Sequence, residues 1–136
     1  MAKMVLLAQY LSINGNVLNS STKKAELSVE VEDKDVTNYA SLGWKEVLGG
    51  LKSGELAVEF FQDFAATQLD SLMWPLLGTV VAFEVRADQA AVGTSNPKYT
   101  GNILIKGWNP IEGSVGDEAT SGLTFPTSGA VTRATV

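Results

Sequence analysis

Cysteine and histidine are both missing from this chain of 136 residues. Without cysteine there are neither disulfides nor thiolate metal sites, and the redox compartment is left open. Without histidine the usual general base, the usual zinc ligand and every serine–histidine triad are excluded together. No apolar run approaches the ~20 residues of a membrane span, and Met1–Tyr10 lacks the small-residue cleavage site of a signal peptide. The expectation is one domain, 1–136, with a single core. It is made and used without export by the general secretory route and has no membrane partner.

Positive charge is also in short supply, 10 Lys and Arg against 15 Asp and Glu, for a net charge of −5. Such a chain has no surplus of cations to release counterions from DNA phosphates, so tight DNA binding is not expected. The plain reading of the charge is solubility.

Catalytic patterns are absent too. Asp33 with Asp35, and Glu30 with Glu32, are carboxylate pairs of the kind that does acid–base work. They fall on a turn or an exposed alternating face, where solvated surface is the ordinary fate. Gly49-Gly50 matches no phosphate-cradling fingerprint. Asp117 and Glu118 lack the alternating ligands of a calcium loop. The expectation is a protein that is not an enzyme, with no catalytic residue, metal or cofactor.

What is present reads mainly as β-structure. "MVLLAQYLSI" (4–13) is strand-like and runs into Asn14-Gly15, a strong hairpin signal. "AELSVEVED" alternates strictly, with Ala25, Leu27, Val29 and Val31 on one side and Glu26, Ser28, Glu30 and Glu32 on the other. "KSG" (52–54) reads as a turn, and 55–64, 79–88 and 99–108 as strands. One helix is expected over about 67–78: Thr67 and Asp70 resemble a capping box, and Leu69, Leu72, Met73, Leu76 and Leu77 recur at helical spacing. Pro75 blemishes its last turn, and Gly78 is placed to end it. Its apolar stripe belongs against its own sheet. The Gly/Ser/Thr-rich end holds a strand and an extended segment over about 126–136, poorly ordered in an isolated monomer. The fold class is thus mainly β: a sandwich or half-barrel with one packed helix and a long protruding loop over about 35–54.

That loop poses the main question. "DVTNYASLGWKEVLGGL" (35–51) carries Val36, Tyr39, Leu42, Trp44, Val47, Leu48 and Leu51, yet Gly43, Gly49 and Gly50 punctuate it. Either it folds under its own sheet as a small core, or it is buried by another molecule.

Several stretches resemble the tail tube (major tail) proteins of long-tailed bacteriophages. They are the "DVT" at 35–37 opening a loop that ends in "GLKSGELAVEFFQDF", the "TQLDSLMWPLLG" helix followed at once by "TVVAFEVRAD", and the closing pattern "GNILIKGWNPIEGSVGDEATSGLTFPTSGAVTRA". The likeness spans nearly the whole chain and lies in the order of features. It implies a β-sandwich or barrel with a flanking helix, assembled as hexameric rings stacked into a hollow tube. Double-stranded DNA passes through the tube during ejection without specific binding. The implied partners are further copies of the chain, tail-tip and head-proximal terminator proteins, and a tape-measure protein in the lumen. The implied location is the virion, after synthesis in the host cytoplasm. The immunoglobulin-like domain that some members carry at the C-terminus is not implied for a chain ending at Val136.

Under this resemblance the 35–51 segment becomes an intersubunit loop, because a ring subunit presents one patch to a different patch of its neighbour. Burying one aromatic such as Trp44 removes ~150–250 Å² from water, about 4–6 kcal/mol before ordering costs. Glu26, Glu30, Glu32 and, with Arg86 beside it, Glu84 become candidates to line the lumen; an outward solvated face is the other reading of the same alternation. Trp74 and Trp108 become further interface candidates. Two other functions remain open: the inner tube of a contractile injection or secretion machine, and a ligand-binding β-sandwich stacking sugars on Tyr39, Trp44 and Trp108.

Overall fold

The Asn14-Gly15 pair turns with both residues at positive φ, 54° and 78°, the geometry that matches the twist of a two-residue hairpin. The computed structural model, which describes residues 3–136, places this turn between β1 (Tyr10–Ile13) and β2 (Asn16–Val17). The expected first strand is shorter than its apolar run. Met4, Val5, Leu6 and Leu7 precede β1 without a sheet partner and are exposed, since a run apolar on both faces needs cover on both faces.

β1 pairs with β5 (Val80–Arg86), β5 with β6 (Lys98–Leu104), and β6 with β8 (Thr132–Ala134), all antiparallel. With β2 these make a five-stranded sheet in the order β2-β1-β5-β6-β8. The second sheet is β3-β4-β7, built from β3 (Thr22–Asp35), β4 (Val47–Phe61) and β7 (Thr120–Pro126). One core joins them: Leu11, Ile13, Phe83 and Ile103 from the first sheet meet Leu56, Val58, Phe60 and Phe125 from the second. Each such side chain contributes about 1.5–3 kcal/mol on burial.

The helix is shorter than its spacing predicts. α1 covers Leu69–Met73 and tightens into a 3-10 turn over Trp74–Leu76, because Pro75 has no N–H and its ring opposes a regular α-turn. The expected capping box also fails. Thr67 sits at φ 64°, whereas a capping residue needs extended backbone; Gln68 takes the cap position without a side-chain bond. Gly78, at φ 84°, ends the segment as expected. Leu69 and Met73 are buried against the sheets.

The protruding loop is a strand pair for much of its length. β3 and β4 run antiparallel from Thr22↔Phe60 out to Asp35↔Val47, with irregular steps at Thr22/Lys24 and Val31/Asp33. The "KSG" expected to turn lies mid-strand, with Lys52, Ser53 and Gly54 opposite Val31, Glu30 and Val29. Gly54 has a packing reason: an added Cβ would stand 3.0 Å from the Ser28 carbonyl oxygen and 3.2 Å from Thr127 Oγ1. The true loop is 36–46. The closing segment is likewise tied down rather than free, since Thr127 N–H donates to the Gly54 carbonyl at 2.9 Å and β8 pairs with β6.

Candidate functional site

Leu27 and Leu56 face each other where the paired strands leave the core. Beyond them the seven residues Val29–Asp35, at about 3.3 Å each, carry the hairpin ~20 Å out as an arm. The apolar side of β3 continues along it uncovered: Val29 and Val31 are both exposed, as is Val47 near its end. Gly49 lies under Val31, whose Cγ1 is 3.2 Å from where a glycine Cβ would be.

The arm ends in a loop whose polar groups are spent on itself. Asn38 caps a 3-10 turn over Tyr39–Ser41, accepting from the Ala40 N–H at 2.9 Å, while its own amide donates to the Val36 carbonyl at 3.1 Å and to Glu46 Oε2 at 3.2 Å. The Ser41 hydroxyl donates to the same Glu46 carboxylate. The Glu46 N–H donates to Thr37 Oγ1 at 2.9 Å, and the Trp44 N–H to the Ser41 carbonyl at 3.1 Å. Leu42 and Gly43 turn the chain through positive φ, 53° and 88°. The Thr37 hydroxyl, then its N–H, hold the Asp35 carboxyl below its ordinary pKa. With the backbone satisfied internally, the side chains that remain point to water: Tyr39 is fully exposed, Leu42 nearly so, and Trp44 is 79% exposed.

All seven apolar residues singled out in this stretch therefore gather on the arm, Val36, Tyr39, Leu42 and Trp44 on the loop and Val47, Leu48 and Leu51 on β4, and none is buried. A small core beneath the chain's own sheet is not what this segment makes. The tip is thus an exposed apolar patch held in one shape by its own hydrogen bonds.

The opposite face of the three-stranded sheet is acidic. Glu26, Ser28 and Glu30 stand across from Ala57, Glu55 and Ser53. Glu55 and Glu59 extend the face and were not singled out in the sequence, although they alternate with Leu56, Val58 and Phe60 just as Glu26 and Glu30 do with Leu27 and Val29. Lysines temper it: Lys24 lies 4.0 Å from Glu26, Lys23 3.4 Å from Glu59, and Lys34 contacts Glu32. Glu30 and Glu55 have no ion-pair partner among the described residues.

Two candidates are corrected. Glu84 lies on the five-stranded sheet, where alternation with the core residues Phe83 and Val85 turns it to that sheet's outer face, and Arg86 Nε stands 3.0 Å from its carboxylate. It does not share a surface with Glu26, Glu30 and Glu32, and its charge is matched. Trp108 is 8% exposed and belongs to the core, its ring 6.2 Å from that of Phe60 and its indole N–H donating to Asp70 Oδ1 at 3.0 Å. It offers neither an interface nor a stacking platform. Trp74 remains exposed, at 58%. Phe64, Leu77 and Val80 are also exposed. Phe64 precedes the helix in sequence, and the Asp70 N–H donates to the Asp63 carbonyl at 3.1 Å. Among the described residues no group of three or more His, Cys, Asp or Glu is placed to hold a metal ion.

No protein-family model matches this sequence, and no curated protein matches it. Solved structures do. A chain of the native gene transfer agent virion superposes with a TM-score of 0.73 at 22% identity, over 92% of this chain and 94% of that one. A chain of the tail of the empty gene transfer agent particle, a structure with C6 symmetry, superposes with a TM-score of 0.69 at 23% identity, over 93% of each. The protein has the fold of these phage-like virion and tail chains.

Proposed function

We propose that this protein is a structural subunit of a phage-type tail, forming six-membered rings that stack into a hollow tube for DNA ejection. The observation that carries the reading is the arm, whose loop satisfies its own hydrogen bonds while holding Tyr39, Leu42 and Trp44 in water. Apolar surface built so rigidly outward is explained by a second copy that buries it. The likeness to a chain of a C6-symmetric tail supports the ring order.

The acidic face of the β3-β4-β7 sheet supplies the lumen in this reading. Duplex DNA carries one negative charge per ~1.7 Å of its axis, so a surface holding Glu30 and Glu55 unpaired repels it and lets it slide. The lumen also admits a tape-measure protein, and the tube's ends meet tail-tip and terminator proteins. The role is structural and not enzymatic, and its place is the virion, after synthesis in the host cytoplasm.

Negative-stain microscopy of the purified protein tests the proposal. Hollow rings or tubes support it, and monodisperse monomer at high concentration with no rings contradicts it.

A further inference from the structure

Asn14-Gly15 carries a chemistry beyond its place in the hairpin. Asn14 is the only asparagine in the chain that glycine follows, and a glycine brings no side chain to hinder its own nitrogen. Both residues are exposed, and nothing lies within 4 Å of where a Gly15 Cβ would stand. The other asparagines are blocked. Asn96 and Asn109 precede proline, which has no N–H, while Asn16 and Asn102 precede the branched Val17 and Ile103. The remaining two are engaged: Asn19 Oδ1 accepts from the Leu11 N–H at 2.8 Å, and Asn38 Oδ1 from the Ala40 N–H at 2.9 Å.

We infer that Asn14 is a site of spontaneous succinimide formation, gated by opening of the β1-β2 hairpin. The reaction needs water and hydroxide alone. Hydroxide takes the Gly15 amide proton, and the nitrogen attacks Asn14 Cγ. An N–Cγ bond forms, the Cγ–Nδ2 bond breaks, and ammonia leaves with a proton from water, which restores the hydroxide. Water then opens the ring, giving aspartate by cleavage at Cγ or isoaspartate by cleavage at the backbone carbonyl carbon. The closed turn opposes the attack. Positive φ at both residues, 54° and 78°, is the type I′ signature, and that turn holds the Gly15 nitrogen on the far side of the Cα–C bond from the Asn14 side chain. Besides the Asn19 bond, the Asn14 N–H donates to the Ala82 carbonyl at 2.7 Å and the Leu18 N–H to the Leu11 carbonyl at 2.9 Å. Yet β2 is a two-residue strand at a sheet edge, and such an edge opens at lower cost than the core. Isoaspartate adds a backbone atom to the turn that sets Ser12 against Val17 and Ile13 against Asn16, so the hairpin cannot close again in register. Either product makes the net charge of −5 one unit more negative. This chemistry is independent of whether the chain forms a tube.

The test is peptide mapping by mass spectrometry, with fragmentation that distinguishes isoaspartate, of folded and urea-unfolded protein kept warm at mildly alkaline pH. The folded chain should gain aspartate and isoaspartate at position 14 before any other asparagine converts. It should do so at least ~10-fold more slowly than the unfolded chain, because the closed turn is the majority state. Asn19→Ala removes one tie and leaves the core in place, so it should raise the folded rate ~3–10-fold, the worth of one hydrogen bond. Urea below the unfolding transition should accelerate the unaltered chain in the same way. Earlier conversion of another asparagine overturns the assignment, as do equal rates in folded and unfolded protein. A folded rate that neither Asn19→Ala nor dilute urea changes removes the gate. An Asn14 that stays intact in both folded proteins, through many times the span that converts the unfolded chain, overturns the site itself.

Discussion

The indole N–H of Trp108 donates to the Asp70 carboxylate at 3.0 Å, across 38 residues of chain. This bond ties the segment after β6 to the first turn of a helix of five residues, too short to stand alone. Trp108→Phe keeps a ring against Phe60 but leaves Asp70 without this partner. Unfolding free energy in urea should fall by about 1.5–3 kcal/mol, the range for a bond to a charged acceptor. The change should act on the fold and leave the arm's surface intact.

Trp44→Ala should do the reverse. The residue stands in water, so denaturation of the monomer should change by no more than about 0.5 kcal/mol, while assembly into rings or tubes is lost. Circular dichroism with sedimentation separates the two effects. Unfolding of the variant would mean that the indole serves its own chain's core.

Acid should loosen the tip. The hydrogen bonds from Thr37 hold the Asp35 carboxyl below its ordinary value of 3.8. A carboxylate with a depressed folded value stabilises the structure above its unfolded value and loses that contribution as pH falls through the folded one. Amide exchange in 36–46, corrected for its intrinsic pH dependence, should therefore be flat near neutrality and faster at the acid end. Thr37→Val should weaken the share that Asp35 contributes to this acid dependence, since it removes the hydroxyl and keeps the N–H. An acid profile unchanged in Thr37→Val would contradict the assignment.

Gly54 is fixed by contact rather than by backbone angle. A Cβ there meets the Ser28 carbonyl at 3.0 Å and the Thr127 hydroxyl at 3.2 Å, and that hydroxyl also accepts from the Gly54 N–H at 3.1 Å. Gly54→Ala should cost about 1–3 kcal/mol, the usual penalty for overpacking. Thermal denaturation checks it.

The acidic face makes a charge prediction. Polymer of the unaltered chain should not retain duplex DNA, whereas Glu30→Lys with Glu55→Lys should retain it with an affinity that falls steeply as salt rises. Retention by the unaltered polymer would contradict a repelling lumen.

Much of this was legible in the sequence where a local rule fixed the outcome. Asn14-Gly15 specified its hairpin, and the alternation from Ala25 to Glu32 specified β3 and its two faces. The apolar residues among glycines at 35–51 posed the question of what covers them, and the fold leaves them in water. The start of β4 was hidden because Gly49, Gly50 and Gly54 break the alternation, and Gly50 and Gly54 owe their presence to neighbours across the sheet. Trp108 stood open to either fate, core or interface, because its partner is 38 residues away.

The most direct measurement is a cryo-electron microscopy structure of the polymer formed by the purified chain. The account predicts a hollow six-fold tube in which the Trp44 indole, open to solvent in the monomer, is covered by another copy. A tube whose Trp44 touches no neighbouring chain would contradict it, and so would a protein that forms no polymer.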